Sequence, residues 1–71
     1  MYHLQFVIPL IQRGENQRIK LWAWSGKRLP IEIQERGNIV TVSFHDEAVR
    51  DIVKTVALKM QWQFKQEHFE E

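Results

Sequence analysis

The hydrophobic pattern of this chain changes period once, and that change limits the architectures open to it. As far as Phe44, apolar residues alternate with polar ones at a spacing of about two, the period of half-buried strands. From His45 onward they recur at about 3.6, the period of an amphipathic helix. Strands first and a helix afterwards define an α+β domain rather than a parallel α/β one.

Four segments carry the alternation. Tyr2 to Gln12 sets Leu4, Phe6, Ile8 and Leu10 against His3, Gln5, Val7, Pro9 and Ile11. Pro9 cannot donate to a ladder, so this strand is expected to lie at a sheet edge or to bend there. Arg13 to Gln17 is polar and too short for a crossover, which makes the next strand an antiparallel partner. Arg18 to Arg28 sets Ile19, Leu21 and Ala23 against Lys20, Trp22 and Trp24, and Ser25-Gly26 suits a tight turn. A third strand is expected from about Lys27 to Gln34, with Pro30 marking a bulge or late start, and a fourth from Ile39 to Phe44. Between them Gly37 and Asn38 enter left-handed conformations cheaply.

In the helical part Val49, Ile52, Val53, Val56 and Met60 form one apolar stripe, with Ala57 and Phe64 at its margin. Ser43 or His45 is expected to cap this helix, Asp46 and Glu47 to occupy its positive end, and Asp46 to pair with Arg50 at i,i+4. Because neither glycine nor proline follows Gly37, the pattern predicts a helix over about 46–66 and a short charged tail, 67–71. The expectation is a single α+β domain over 1–71: a four-stranded antiparallel meander in residues 2–44, then one long C-terminal helix packed on one face (β-β-β-β-α). In topology alone that order resembles small dimeric single-stranded-DNA-binding coactivator domains, with no motif of theirs in the chain.

Composition removes several function classes. The chain has 71 residues and no cysteine, so disulfides, thiolate ligands and thiol nucleophiles are out, and oligomerisation is one remaining source of stability. Its longest apolar run, Phe6 to Ile11, is interrupted by Pro9 and falls far short of the roughly 20 residues a spanning helix needs. With no leader pattern either, a cytoplasmic location and no membrane partner are expected. The net charge of +1 hides an uneven spread. Residues 1–44 hold six Lys/Arg against three acids, and residues 45–71 hold four against six.

No constellation for catalysis stands out. His45-Asp46-Glu47 groups an imidazole with two carboxylates, but adjacent helical residues diverge by about 100°. With no second ligand pair following, these residues suit a helix terminus better than a metal. Ser25 and Ser43 lack a nucleophile-elbow context, and Arg13-Gly14 and Arg36-Gly37 are isolated turn pairs rather than a phosphate-binding loop. No catalytic, metal or cofactor-binding residue is assigned, no cofactor is expected, and neither is an enzyme.

Two surfaces remain. On the expected sheet, Trp22 and Trp24 lie opposite the helix among Arg18, Lys20, Lys27 and Arg28, a composition suited to stacking bases and tracking phosphates. A second stripe on the helix, Thr55, Leu58 and Trp62 with Phe69, is a candidate oligomer surface. The leading expectation is a small non-enzymatic interaction module acting as a homo-oligomer, a dimer first, through the aromatic sheet face or the distal helix. The alternatives are a single-stranded DNA- or RNA-binding protein using the tryptophans and cations, and a subunit or inhibitor docking on a larger enzyme.

Overall fold

An antiparallel sheet of four strands is present, but a helix lies where the second strand is expected, the third strand starts later, at Glu32, and the remaining strand comes from the end of the expected helix and the charged tail. In a computed structural model describing residues 1–71, the strands are β1 (Tyr2–Val7), β2 (Glu32–Arg36), β3 (Ile39–Phe44) and β4 (Gln63–Phe69). The helices are α1 (Gln17–Ser25) and α2 (Glu47–Lys59), and a 3-10 turn covers Leu10–Gln12. The order is therefore β-α-β-β-α-β, not a meander followed by one C-terminal helix. The topological resemblance to the coactivator domains lapses with it.

The stretch around Trp22 is helical because both of its ends are capped. Asn16 Oδ1 accepts the Ile19 N–H at 3.1 Å, and Gly26, at φ 74°, ends the helix with its N–H donating to the Trp22 carbonyl at 3.0 Å. The buried residues are Gln17 and Leu21, four apart as a helix requires. Ile19 and Ala23, which alternation would have buried beside Leu21, are exposed.

Asp46, rather than Ser43 or His45, caps α2, accepting the Ala48 N–H at 2.9 Å. It forms no pair with Arg50, whose partners are Glu47, Asp51 and Glu67. The helix stops well short of 66. Gln61 takes φ 65°, its N–H donates to the Leu58 carbonyl at 3.0 Å, and the Trp62 N–H donates to the Ala57 carbonyl at 2.9 Å. These two bonds make a Schellman motif, with glutamine in the left-handed position that glycine usually fills. The chain then runs on as β4, so the expected charged tail is largely a strand.

The sheet order is β2-β3-β1-β4, every neighbour antiparallel. Two β-α-β units interleave, a ferredoxin-like topology. Tyr2, Phe44 and Phe69 align at one end of the sheet; Val7, Ile39, Gln63 and Arg36 align at the other. On one face Leu4, Phe6, Val40, Val42 and Phe44 join buried residues of both helices in a core of 15. No helix is long and apolar enough to cross a membrane.

Candidate functional site

The expected tryptophan platform does not form on the sheet. Trp22 and Trp24 both belong to α1. The Trp22 Nε1–H donates to the Leu29 carbonyl at 2.8 Å, and the Arg28 guanidinium sits 5.0 Å from the ring centroid. This indole thus fastens the loop after α1 and has one face occupied. Arg18, Trp22 and Arg28 do meet, lining a cleft of about 440 Å³ with Leu29, Pro30, Ile31 and His45. Lys20 turns elsewhere, to Gln12 Oε1 at 2.8 Å and Glu15 at 2.6 Å. Trp24 and Lys27 are exposed outside that cleft.

The face of the sheet away from the helices is polar instead. Glu32, Ser43, His3 and His68 form one row across all four strands, and Gln34, Thr41, Gln5 and Gln66 form the next. His3 Nδ1 lies 2.7 Å from Ser43 Oγ and His3 Nε2 lies 3.3 Å from Glu70, while the His3 and His68 rings stack at 6.0 Å. His3, His68, Glu70 and the second row bound, with Arg36 and Lys65, a shallow depression of about 870 Å³. The Ser43–His3–Glu70 chain has the connectivity of a nucleophile, base and acid. However, β3 is paired on both edges, which commits the amides around Ser43 to ladder bonds rather than to an oxyanion. No group of three or more His, Cys, Asp or Glu is placed to hold a metal ion.

A third surface runs along the flank made by α2 and β4. Lys54, Ala57, Leu58, Phe6, Trp62 and Phe64 enclose a groove of about 160 Å³, with Leu58 74% and Phe64 47% exposed. Of the residues expected on an oligomer surface, Leu58 and Phe69 are exposed on this flank and Thr55 is exposed on α2. Trp62 is only 2% exposed: it floors the groove, 5.6 Å from Phe6, with Nε1–H donating to Gln12 Oε1 at 2.9 Å. Phe64, placed by the sequence at the margin of a longer helix, is instead the strand residue that completes the groove wall.

Halfway along the flank, Glu67 bonds Lys54 at 2.8 Å and Arg50 at 3.4 Å. The Lys54 hydrogen bond, with the positive charges of Lys54 and Arg50, holds the Glu67 carboxyl below its ordinary pKa against the opposing effect of burial.

The topology also sorts charge by end. Arg13, Lys20, Arg36, Lys59 and Lys65 gather with Glu15 and Glu35 at the end marked by Val7 and Gln63. Glu32, Asp46, Glu47, Glu70 and Glu71 lie with Lys27 and Arg28 at the opposite end. One end is basic and the other acidic, although the net charge is +1.

Comparison with protein-family models, with curated proteins and with solved structures gives no match. The fold defines a small α+β sandwich with one open sheet face, and a fold of this kind carries no function by itself.

Proposed function

We propose that this chain is a non-catalytic interaction module that works in the cytoplasm as a homodimer, with the α2–β4 flank as its interface. The observation that carries the reading is the flank itself: Leu58 and Phe64 stand exposed beside an apolar groove at one end, and Phe69 packs 4.8 Å from Tyr2 at the other. A two-fold axis perpendicular to β4 would set each apolar end of one copy against the other apolar end of its twin. The same axis would bring the basic end beside the acidic end, so electrostatics favour this side-by-side arrangement. Edge-to-edge extension of the sheet is disfavoured, because β4 has an extra residue, Lys65, where its register against Gln5 and Phe6 of β1 shifts, and it carries charges at Lys65 and Glu67, devices that blunt an edge.

Light scattering at micromolar concentration tests the reading. The wild-type chain should be dimeric, and Leu58→Glu should yield a monomer with unchanged helix content, since Leu58 lies outside the core. A wild type that stays monomeric would sink the dimer; a dimer untouched by Leu58→Glu would move the interface elsewhere. A foreign protein could occupy the same flank, and its capture by a monomeric chain is the outcome expected of a docking subunit.

Single-stranded nucleic acid is the second reading, moved from the tryptophans to the open sheet face. It is favoured by the stacked His3 and His68 rings beside Arg36, Lys65 and a row of amides able to meet base edges. Anisotropy of a labelled oligonucleotide should rise on adding protein and fall back with salt. A flat titration at low salt would remove this reading.

A further inference from the structure

We infer that the 3-10 turn at the basic end is an anchor that seats the protein on an anionic lipid surface. The turn is built inside out. Its polar residue, Gln12, points inward, where Nε2 donates to the Met60 carbonyl at 2.9 Å and Oε1 accepts from Trp62 Nε1 at 2.9 Å and Lys20 Nζ at 2.8 Å. Its two aliphatic residues point outward, Leu10 72% and Ile11 89% exposed. Backbone bonds from Gln12 N–H to the Pro9 carbonyl and from Arg13 N–H to the Leu10 carbonyl close the turn, so these side chains are held out on a fastened support. Exposed to this degree, they contribute almost no burial to the fold.

The charge of this end selects the occupant. Arg13, Arg36, Lys59 and Lys65 share this end of the molecule and make no ion pair; Glu15 is taken up by Lys20, which leaves Glu35 the one unpaired acid. Two copies meeting turn to turn would bring like charges together, so the surplus of cations at this end argues against a twin subunit here. An anionic bilayer offers the complement, with phosphate-bearing headgroups for the cations and an acyl boundary a few ångströms deeper for Leu10 and Ile11. The sequence pattern points away from a membrane partner because its longest apolar run is too short for a spanning helix, and no helix is long and apolar enough to cross a membrane, but surface attachment requires no spanning helix. The inference does not require the dimer, since Leu10 and Ile11 line no part of the flank groove.

Co-sedimentation of the full chain with vesicles decides it. Wild type should bind vesicles containing phosphatidylglycerol at low salt, bind pure phosphatidylcholine weakly, and release as salt rises. Replacing both aliphatics, Leu10→Ser with Ile11→Ser, should weaken binding about tenfold or more with an unchanged circular dichroism spectrum. Arg13→Gln should weaken it about fivefold. Failure to bind anionic vesicles at low salt overturns the inference. So does a serine double variant that binds like wild type, since charge alone would then suffice. A double variant that instead changes the oligomeric state without vesicles would make the turn a protein contact and would also overturn it. Leu58→Glu, tested in parallel, should still bind, which separates this result from the fate of the dimer.

Discussion

The two helices lie on the same side of the sheet but are held there by different physics. α2 buries Val49, Val53, Val56 and Ala57, a continuous apolar stripe. α1 buries one apolar side chain, Leu21, and one amide, Gln17. Directional bonds supply the remainder of its hold: the Asn16 cap, Gln17 Nε2 donating to the Gln12 carbonyl at 2.8 Å, Lys20 on Gln12, and Trp22 on the Leu29 carbonyl. Gln17 Oε1 is buried without a protein partner, so even this network is not fully satisfied. A helix kept in place by polar fastenings can leave apolar residues outside, as Ile19 and Trp24 are. α2, held by its stripe, keeps its apolar residues inside with one large exception, Leu58.

The largest test of this contrast is Leu21→Ala. Leu21 is fully buried and is the one apolar side chain of α1 wholly inside the core, so its truncation should destabilise the domain by about 2–5 kcal/mol in urea unfolding. In a domain of 71 residues that is a large share of the total stability. A loss below about 0.5 kcal/mol, typical of a surface substitution, would mean that the hydrogen bonds hold α1 unaided.

Gln12→Ala probes the polar side of the same comparison. The side chain bridges the 3-10 turn to Lys20 of α1, the Met60 carbonyl after α2, and the buried indole of Trp62. Removing it strands the Trp62 N–H in the core, and an unpaired buried donor costs about 1–3 kcal/mol. The expected result is a lower urea midpoint with unchanged slope, together with a shift in tryptophan emission as Trp62 becomes better hydrated. An unchanged midpoint would mean that water replaces the glutamine, and the fastening would be incidental.

The same contrast explains what could be read in advance. The apolar stripe of α2 was legible at Val49, Val53, Val56 and Met60, as were β3, the turn at Gly37 and Asn38, and the inward face of Leu4 and Phe6. α1 was not, because Ile19, Leu21 and Ala23 mimic a strand while the true signals, Asn16 before it and Gly26 after it, also occur in hairpins. The end of α2 carries no glycine or proline, since Gln61 takes the left-handed position on the strength of two backbone bonds and a buried Trp62 behind it. β4 is exposed along its whole length and contains a register shift, so no alternation marks it. Among the site residues, the sequence pattern marks Leu58 and Phe69 as exposed apolar positions, and it misplaces Trp62 because a longer helix turns that residue outward. The charge imbalance was visible only by halves of the chain. Interleaving of the two β-α-β units brings Arg13, Arg36, Lys59 and Lys65 to one end, and no linear count reveals that.

The smallest expected effect is electrostatic and belongs to α2, whose one polar fastening to the sheet is the Arg50–Glu67–Lys54 cluster. The folded-state pKa of Glu67 is lowered, chiefly by the Lys54 hydrogen bond, so native Glu67 releases its proton more readily than it would in the unfolded chain. The stabilisation this gives is fully present above the ordinary glutamate pKa of about 4.3 and fades as pH falls through the lowered value. Glu67→Gln should therefore reduce stability slightly at neutral pH, within the ~1 kcal/mol range of exposed ion pairs, and less in high salt. The gap between variant and wild type should close on acidification below about pH 4, followed by thermal melts at each pH. A gap that persists in acid would trace to side-chain packing against Phe64, over which Lys54 lies at 5.1 Å, and α2 would then be held by apolar contact alone.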